Sequence, residues 1–419
     1  MNSFGKTLRS TTAAVGLALL GMATVTAVTA PAAYAQKASK EFVTAYNEAN
    51  AALDAKNYAV AIQKADAAAP HAKDQAQKLA VESVRVKAYY GTKNNAGLLK
   101  ALEAQQAIGG LSAEALKANK ATVLGVYAQM GNDAKAIQLT KEYISSYGGT
   151  TDQYAFLASN SLKAKSYDEA LSYSQKAIDQ SRKEGKKASD KMFNIQLQSY
   201  IDQKQMDKYY ATLEKVAVEY PKEIYIKPLI ERAVKEPKFK RVDTQLDIYR
   251  AMVAAGIKLS TADQLGMGEQ ALSRGMSVEA EKVLDPLFKA GTVGGASDTN
   301  AERNKRLYAS AQKAAKEDKA SGLVASEKEA ATKPTGLNYV ETGESYIAIG
   351  DYDKAIDLIQ KGIAKGQLDD GQLGLAQLRL GIAQFKAGKK DDARKTWSEI
   401  KADNGAATLA KSWIVISKL

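Results

Sequence analysis

A spaced pattern of small residues recurs along most of the chain, and it restricts the fold more than any other feature of the sequence. The pattern is a Gly, a second Gly seven residues later, and an Ala five residues after that. Its clearest copies are Gly343, Gly350 and Ala355 and, 38 residues further on, Gly381, Gly388 and Ala393. Weaker copies are marked by Gly268, Gly275 and Ala280, and by Ala61, Ala136 and Ala170.

The pattern predicts pairs of antiparallel helices. A small residue such as Gly343 or Gly381 lets two helices touch, because a larger side chain would push them apart. Gly350 supplies the positive φ angle that ends a helix, and Asp351 follows where a carboxylate can accept from the free N–H groups of the next helix. We therefore expect an all-α chain, in which about ten helix-turn-helix units fill residues 36–419.

This pattern resembles the tetratricopeptide repeat, a helix-turn-helix unit of about 34 residues. The resemblance is strong at 336–405, moderate at 117–184 and 261–290, and weaker elsewhere. The family's early Trp is missing, with Tyr154 and Tyr339 in its place, and spacings of 38 and 40 residues indicate longer turns. The resemblance implies an α-solenoid that forms a right-handed superhelix.

The N-terminal residues 1–35 have the three parts of a secretory signal peptide. Lys6 and Arg9 precede an apolar stretch, and Ala33-Tyr34-Ala35 supplies a cleavage site before Gln36. We expect export to the periplasm, with secretion or the cell surface as alternatives. No later segment approaches the roughly 20 apolar residues that span a bilayer, so we expect no stable membrane insertion after cleavage.

Four segments are predicted after these assignments: the cleaved signal peptide at 1–35, an N-terminal solenoid at 36–290, a loop and irregular helical connection at 291–335, and a C-terminal repeat pair at 336–419. Within the last segment, the apolar residues from Trp413 to Ile416 predict a helix that caps the final repeat. Ser321 to Gly336 is read as a loosely ordered connection.

The chain has few of the residues that most often serve as nucleophiles, bases or metal ligands. It has no Cys and a single His, His71, which excludes disulfides, thiolate metal sites and two-His metal sites. We predict no cofactor, no metal and no catalytic residue. One enzymatic alternative stays open, because Glu344-Ser345 resembles the Glu-Ser of lytic transglycosylases, which act on cell wall.

Binding of a protein or peptide partner is the favoured function. The resemblance implies that the first helix of each repeat lines a concave groove. In the last two repeats that face would carry Leu337, Val340, Glu344, Ile347, Leu375, Leu378, Ile382 and Phe385. In the middle repeats it would carry smaller residues: Ala118, Ala121, Ala128, Asp152, Ser159, Met192 and Ser199. The alternative for the apolar set is intramolecular core, or a surface covered by the C-terminal helix.

The excess of basic charge offers a second function. The chain has a net charge of +12, and its basic residues cluster at three places. These are Lys235, Lys238, Lys240 and Arg241; Arg303, Lys305 and Arg306; and Lys183, Lys186 and Lys187. Such a surface attracts anionic glycans or polymers of the envelope, whereas nucleic acid is not expected after export. Ordinary solvated helix faces are the other explanation.

Overall fold

The computed structural model of the protein describes residues 38–419, and every regular element in that range is a helix. The predicted signal peptide, residues 1–35, lies outside the described residues. The α-helices are α1 (Lys40–Asp54), α2 (Tyr58–Ala68), α3 (Gln75–Gly91), α4 (Asn95–Ile108), α5 (Ala113–Gln129), α6 (Asp133–Tyr147), α7 (Thr151–Lys163), α8 (Tyr167–Lys183), α9 (Asp190–Asp202), α10 (Met206–Glu219), α11 (Glu223–Glu231), α12 (Arg241–Ala254), α13 (Thr261–Ser273), α14 (Ser277–Lys289), α15 (Ala301–Glu317), α16 (Leu323–Thr332), α17 (Leu337–Ile349), α18 (Tyr352–Lys365), α19 (Asp370–Lys386), α20 (Lys390–Ser398) and α21 (Ala406–Ile416). Short 3₁₀-helices occupy Ala69–His71 and Arg232–Lys235.

The chain divides into two compact units, and the division falls between Met206 and Asp207. In the first unit, α1 pairs with α2, α3 with α4, α5 with α6, and α7 with α8. Neighbouring pairs pack side by side, since α3 contacts α1 and α9 contacts α7. In the second unit the pairs are α13 with α14, α17 with α18, and α19 with α20. The prediction of an all-α array of helical hairpins is confirmed in the described residues.

The turns inside the hairpins have the predicted chemistry. Gly350 ends α17 with a φ of 92°, and Gly388 follows α19 with a φ of 81°. Asp351 then accepts a hydrogen bond from the backbone N–H of Lys354 at 3.2 Å, which caps the start of α18. The sequence pattern therefore located both the end of one helix and the start of the next.

The small residues of the pattern lie where two helices touch. A Cβ atom built on Gly381 would lie 2.1 Å from Nε1 of Trp397 on the partner helix, and one on Gly343 would lie 2.6 Å from Cγ1 of Ile359. Ala355, on α18, is completely buried. No larger side chain fits at the two glycines without moving the helices apart, as the repeat predicted.

Several turns of the first unit use Lys where the pattern predicts Gly. Lys56, Lys93, Lys165 and Lys204 have φ angles between 55° and 58°, in the left-handed region. Lys56, Lys93 and Lys165 each lie between the two helices of a pair, Lys204 lies between α9 and α10, and all four are exposed. A residue with a Cβ atom adopts this conformation at a cost of roughly 1 kcal/mol, so the turn geometry is kept although the glycine is not. This substitution weakened the repeat signal in the N-terminal half.

The second unit is organised around α12. From Leu246 to Met252 every residue of this helix is buried, although two of them, Asp247 and Arg250, are charged. A helix that is buried around its whole circumference is central to its domain rather than part of a surface layer. The direct neighbours of α12 include α11, α13 and the C-terminal helix α21.

The predicted C-terminal cap is present as α21. Trp413 is only 1% exposed, and its ring lies 5.6 Å from that of Trp397, centroid to centroid. The helix packs against α19 and α20, as expected of a cap on the last hairpin, and also against α11 and α12. The second set of contacts, to helices more than 150 residues earlier in the chain, was not foreseen.

Residues 291–335 contain both a structured loop and helices. Asp298 accepts hydrogen bonds from the backbone N–H groups of Gly294 and Asn300, each at 2.9 Å. Those bonds lower the pKa of Asp298. Beyond the loop, α15 continues through a π-helical turn at Asp318–Gly322 into α16, so the segment from Ser321 is more regular than expected. As domain limits, 36–290, 291–335 and 336–419 stay predictions.

Among residues 38–419, no helix combines the length and the apolar character that crossing a bilayer requires.

Candidate functional site

The centre of the second unit is a buried network of charged side chains, and it is the strongest concentration of polar interactions in the described part of the molecule. Asp247 and Arg250 occupy successive turns of α12, three residues apart, so both point to the same side of the helix. Asp247 is completely buried and Arg250 is 7% exposed. Charged groups at this depth need partners from every direction, and other helices supply them.

Arg250 links α12 to two other helices. Its Nη1 donates to Asp247 at 2.9 Å and to Oε2 of Glu344, on α17, at 3.1 Å. Its Nη2 donates to Oε2 of Glu279, on α14, at 2.6 Å. The guanidinium group therefore holds three carboxylates, two of them from other hairpins, 29 and 94 residues away in sequence.

Arg379 and Arg274 complete the network. Arg379, on α19, donates from Nη2 to Oδ2 of Asp247 at 3.0 Å, and its Nη1 lies 2.7 Å from Oε1 of Glu344. Arg274, which follows α13, donates to the same Glu344 oxygen at 2.9 Å. Both arginines also donate to the backbone carbonyl of Asp243, at 2.9 Å and 3.0 Å.

The charges in the network balance. Three arginines face three carboxylates: Arg250, Arg274 and Arg379 against Asp247, Glu279 and Glu344. Burial raises the pKa of Asp247, but the positive charges of Arg379, Arg250 and Arg274 outweigh it and lower that pKa to about 2. Burial likewise opposes the charge of Arg250, yet its carboxylate partners raise its pKa. Asp247 and Arg250 are therefore held in their ionised forms near neutral pH.

Such a network selects one arrangement of helices. Buried ion pairs contribute little net stability compared with apolar side chains of the same size, because desolvation offsets the attraction. Breaking one, however, leaves a buried charge without a partner. Only the arrangement that brings α13, α14, α17 and α19 to their places around α12 satisfies all six groups, so the network specifies the packing of the unit.

This environment does not resemble that of a catalytic acid. A carboxyl group that donates protons near neutral pH needs an apolar site that favours its neutral form. Glu344 instead lies among three guanidinium groups and is completely buried. Its neighbour Ser345 donates to the backbone carbonyl of Glu341. The geometry gives a structural role to the residue on which the enzymatic alternative rested.

The eight residues predicted to line a partner groove are mostly interior. Val340, Glu344, Ile347, Leu375, Leu378 and Ile382 are buried, while Leu337 and Phe385 are half-buried. Val340 and Ile347 belong to a core shared by α17, α18 and α19, and the Phe385 ring lies 5.8 Å from that of Trp413 on α21. Intramolecular packing, the alternative given by the sequence, accounts for these positions. As partner-binding residues they stay a prediction.

Sequence reasoning missed five members of the network: Asp247, Arg250, Arg274, Glu279 and Arg379. A usable signal existed for three of them. Asp247 and Arg250 interrupt the otherwise apolar run from Leu246 to Met252, and a charge in such a run must be paired inside the protein. Arg379 lies between Leu378 and Leu380 in the same way. The repeat frame places Glu279 among ordinary exposed positions and gives no comparable signal.

Each predicted basic cluster has at least one member that is paired within the chain. Lys238 lies 3.2 Å from Asp403, Arg303 lies 2.7 Å from Glu269, and Lys186 lies 3.0 Å from Glu184, each measured between nitrogen and oxygen. Lys240 and Arg241 differ, because both are exposed and neither has an ion-pair partner among residues 38–419. Arg306 and Lys183 are likewise exposed without an ion pair in the described part of the chain, but only in the first cluster are two such residues adjacent in sequence.

Comparison with known proteins finds a family match at one hairpin of the second unit. The family model described as Tetratricopeptide repeat matches residues 375–404, which cover most of α19, all of α20 and the turn between them. The chain is thus a protein of helical hairpins that carries a tetratricopeptide repeat. The resemblance inferred from the spacing of Gly381, Gly388 and Ala393 is confirmed at this repeat.

Among solved structures, the chain is similar to a chain in the crystal structure of the APC/C hetero-tetramer Cut9-Hcn1, with 13% sequence identity and a TM-score of 0.23. The match covers 88% of this chain and 66%, just under two thirds, of that chain. No curated protein matches the sequence. The assignment of the class therefore rests on the observed hairpins and on the repeat at 375–404.

Proposed function

We propose that the protein is an exported scaffold that binds protein or peptide partners through the inner helices of its hairpin array. The observation that carries this proposal is the tetratricopeptide repeat at residues 375–404 within a chain of similar hairpins. Tetratricopeptide repeats are a protein-interaction fold. Stacked helical hairpins present extended surfaces that fit a peptide or a helix.

The first unit is the better candidate for the partner surface. In the second unit, the inward side chains of α17 and α19 contact the unit's own helix α12 through Glu344 and Arg379. In the first unit, the corresponding helix α5 carries the half-buried small residues Ala118, Ala121 and Ala128. Small residues leave room for the side chains of a partner, and Ala118 and Ala121 lie outside the core of Phe156 and Leu157 against which Ala128 packs.

A capture experiment tests this surface. The exported protein is crosslinked in the envelope, and the partners of the parent chain are compared with those of Ala121→Arg and of Ala134→Arg. Ala134 is an exposed residue of α6, the second helix of the same pair, and serves as the matched control. We expect Ala121→Arg to lose a partner that the other two chains retain. Identical partner lists for all three chains would refute binding at α5.

Export is tested separately. Sequencing of the N-terminus of the mature protein from the periplasm is expected to begin at Gln36. A chain that keeps residues 1–35 and stays in the cytoplasm would overturn the proposed location without affecting the proposed binding surface.

A second candidate function, binding of an anionic envelope glycan or polymer, is favoured by one observation. Lys240 and Arg241 are exposed without ion-pair partners among the described residues, beside Val242, which is 62% exposed. On a heparin column, used as a model anionic glycan, the double variant Lys240→Glu/Arg241→Glu is expected to elute at a lower salt concentration than the parent chain. Lys305→Glu, at a residue paired with Glu302, is the control. Equal retention of all three chains would count against this function.

A further inference from the structure

Two buried polar atoms in the first unit have no hydrogen-bond partner in the described part of the chain, and they belong to a pair of packed helices. They are the hydroxyl oxygen of Ser159, on α7, and the ammonium nitrogen of Lys191, on α9. The two helices contact each other directly. Ser159 is 7% exposed, and its hydroxyl forms none of the usual bonds to the preceding turn of its own helix. Buried groups of both kinds are rarely left unsatisfied.

A second positive charge lies beside them. Lys163 is one turn beyond Ser159 on α7, so the two side chains share a face of that helix. Burial lowers the pKa of Lys191, and the charge of Lys163 lowers it further. Among residues 38–419, no carboxylate accepts a hydrogen bond from the Lys191 ammonium, whereas Lys163 has the carboxylate of Asp133 at 4.0 Å. Lys191, Lys163 and Asp133 together therefore have one positive charge in excess.

We propose that a small monovalent anion, chloride or the carboxylate of a small acid, binds between α7 and α9. The ammonium of Lys191 and the hydroxyl of Ser159 both donate to the anion, and the charge of Lys163 assists from the more exposed end of α7. One negative charge neutralises the excess. An anion small enough to lie between two packed helices also satisfies two donors that have no protein acceptor.

The full chain is tested by thermal unfolding at pH 7 and constant ionic strength, in sodium chloride, sodium acetate or sodium gluconate. Both tryptophans, Trp397 and Trp413, lie in the second unit, so a change that circular dichroism detects and tryptophan fluorescence does not reports the first unit. At an anion concentration one hundred times the dissociation constant, chloride or acetate is expected to raise the unfolding temperature of the first unit by roughly 5–10 °C compared with gluconate. The chloride and acetate arms distinguish the two sources of the anion.

The variants identify the site. Lys191→Met is expected to abolish the difference between anions without lowering the transition in gluconate, because it removes an unpaired buried charge. Ser159→Ala is expected to reduce the difference. Lys183→Met, at an exposed residue of α8, serves as the matched control and is expected to keep it.

Two results would overturn the proposal. Equal transitions of the parent chain in all three salts would assign the place beside Lys191 to water and a neutral amine. An anion dependence that survives in Lys191→Met would place the ion elsewhere.

Discussion

The replacement of Glu344 by Gln offers the most direct test of how the second unit is held together. The parent carboxylate is completely buried and lies 2.7, 2.9 and 3.1 Å from nitrogens of Arg379, Arg274 and Arg250. Glutamine keeps the size of the side chain and most of its hydrogen-bonding capacity. The change therefore removes a charge and leaves the volume almost as it was.

The expected magnitude follows from the charge balance. Three guanidinium groups remain with two carboxylates, so one buried positive charge loses its counterpart. Removing one partner of a buried ion pair typically costs about 3–5 kcal/mol. A domain of ordinary stability has about 5–15 kcal/mol in total, so Glu344→Gln should remove a large fraction of the stability of this unit.

Urea unfolding followed by tryptophan fluorescence measures this loss in the right place, because Trp397 and Trp413 are the only tryptophans of the chain and both belong to the second unit. With a urea dependence of roughly 2–3 kcal/mol per molar, the midpoint should fall by about 1–2 M. Glu317→Gln, at an exposed residue of α15 in the same unit, is the control and should change stability by less than about 0.5 kcal/mol. A midpoint of Glu344→Gln equal to that of the control would refute the reasoning.

Three further predictions concern packing, acid and turns. Gly381→Ala places a methyl group 2.1 Å from Nε1 of Trp397 and should lower the free energy of unfolding of the second unit by about 1–3 kcal/mol, measured in the same fluorescence experiment. An unchanged urea midpoint would show that the two helices can separate. The pKa of Asp247 is lowered to about 2 from an ordinary value of 3.8, so the stability that its charge contributes is complete above pH 4 and is lost as the pH falls from 4 to 2. Over that window the urea midpoint of the second unit should fall by the equivalent of about 2 kcal/mol. A constant midpoint would contradict the lowered pKa of Asp247. Lys165→Gly relieves the strain of a left-handed backbone conformation and should stabilise the first unit by up to about 1 kcal/mol, whereas Gly131→Lys at the equivalent turn should destabilise it. Unfolding followed by circular dichroism measures both changes. A change of the same sign in the two variants would contradict the argument.

The hairpins could be predicted from the sequence because the residues that define them act locally. Gly388 ends a helix through its own backbone conformation, and Gly381 matters only to the helix that it touches. Such signals recur at a fixed spacing and need no knowledge of the rest of the chain. They became weak where Lys56 and Lys93 replaced glycine at the turn, although the conformation stayed the same.

The charged centre could not be predicted because its members are far apart in sequence. Arg379 meets Asp247 across 132 residues, and Arg250 meets Glu344 across 94. No spacing rule connects such pairs. The groove residues illustrate the same limit, since Leu378 occupies the position that the repeat assigns to a partner surface and is nevertheless completely buried. Local periodicity shows which side of a helix is special, but only the tertiary contacts show what that side faces.

The buried helix α12 restricts how this chain can change over evolutionary time. An open array of repeats can gain or lose a hairpin by duplication or deletion, because each hairpin contacts only its neighbours. In the second unit, Asp247 and Arg250 require Glu279, Glu344 and Arg379 from three separate hairpins at once. Insertion of a hairpin between α14 and α19 would move one acceptor or donor away and leave a buried charge behind. The number of hairpins in this unit is therefore fixed, whereas the first unit is free to vary in length.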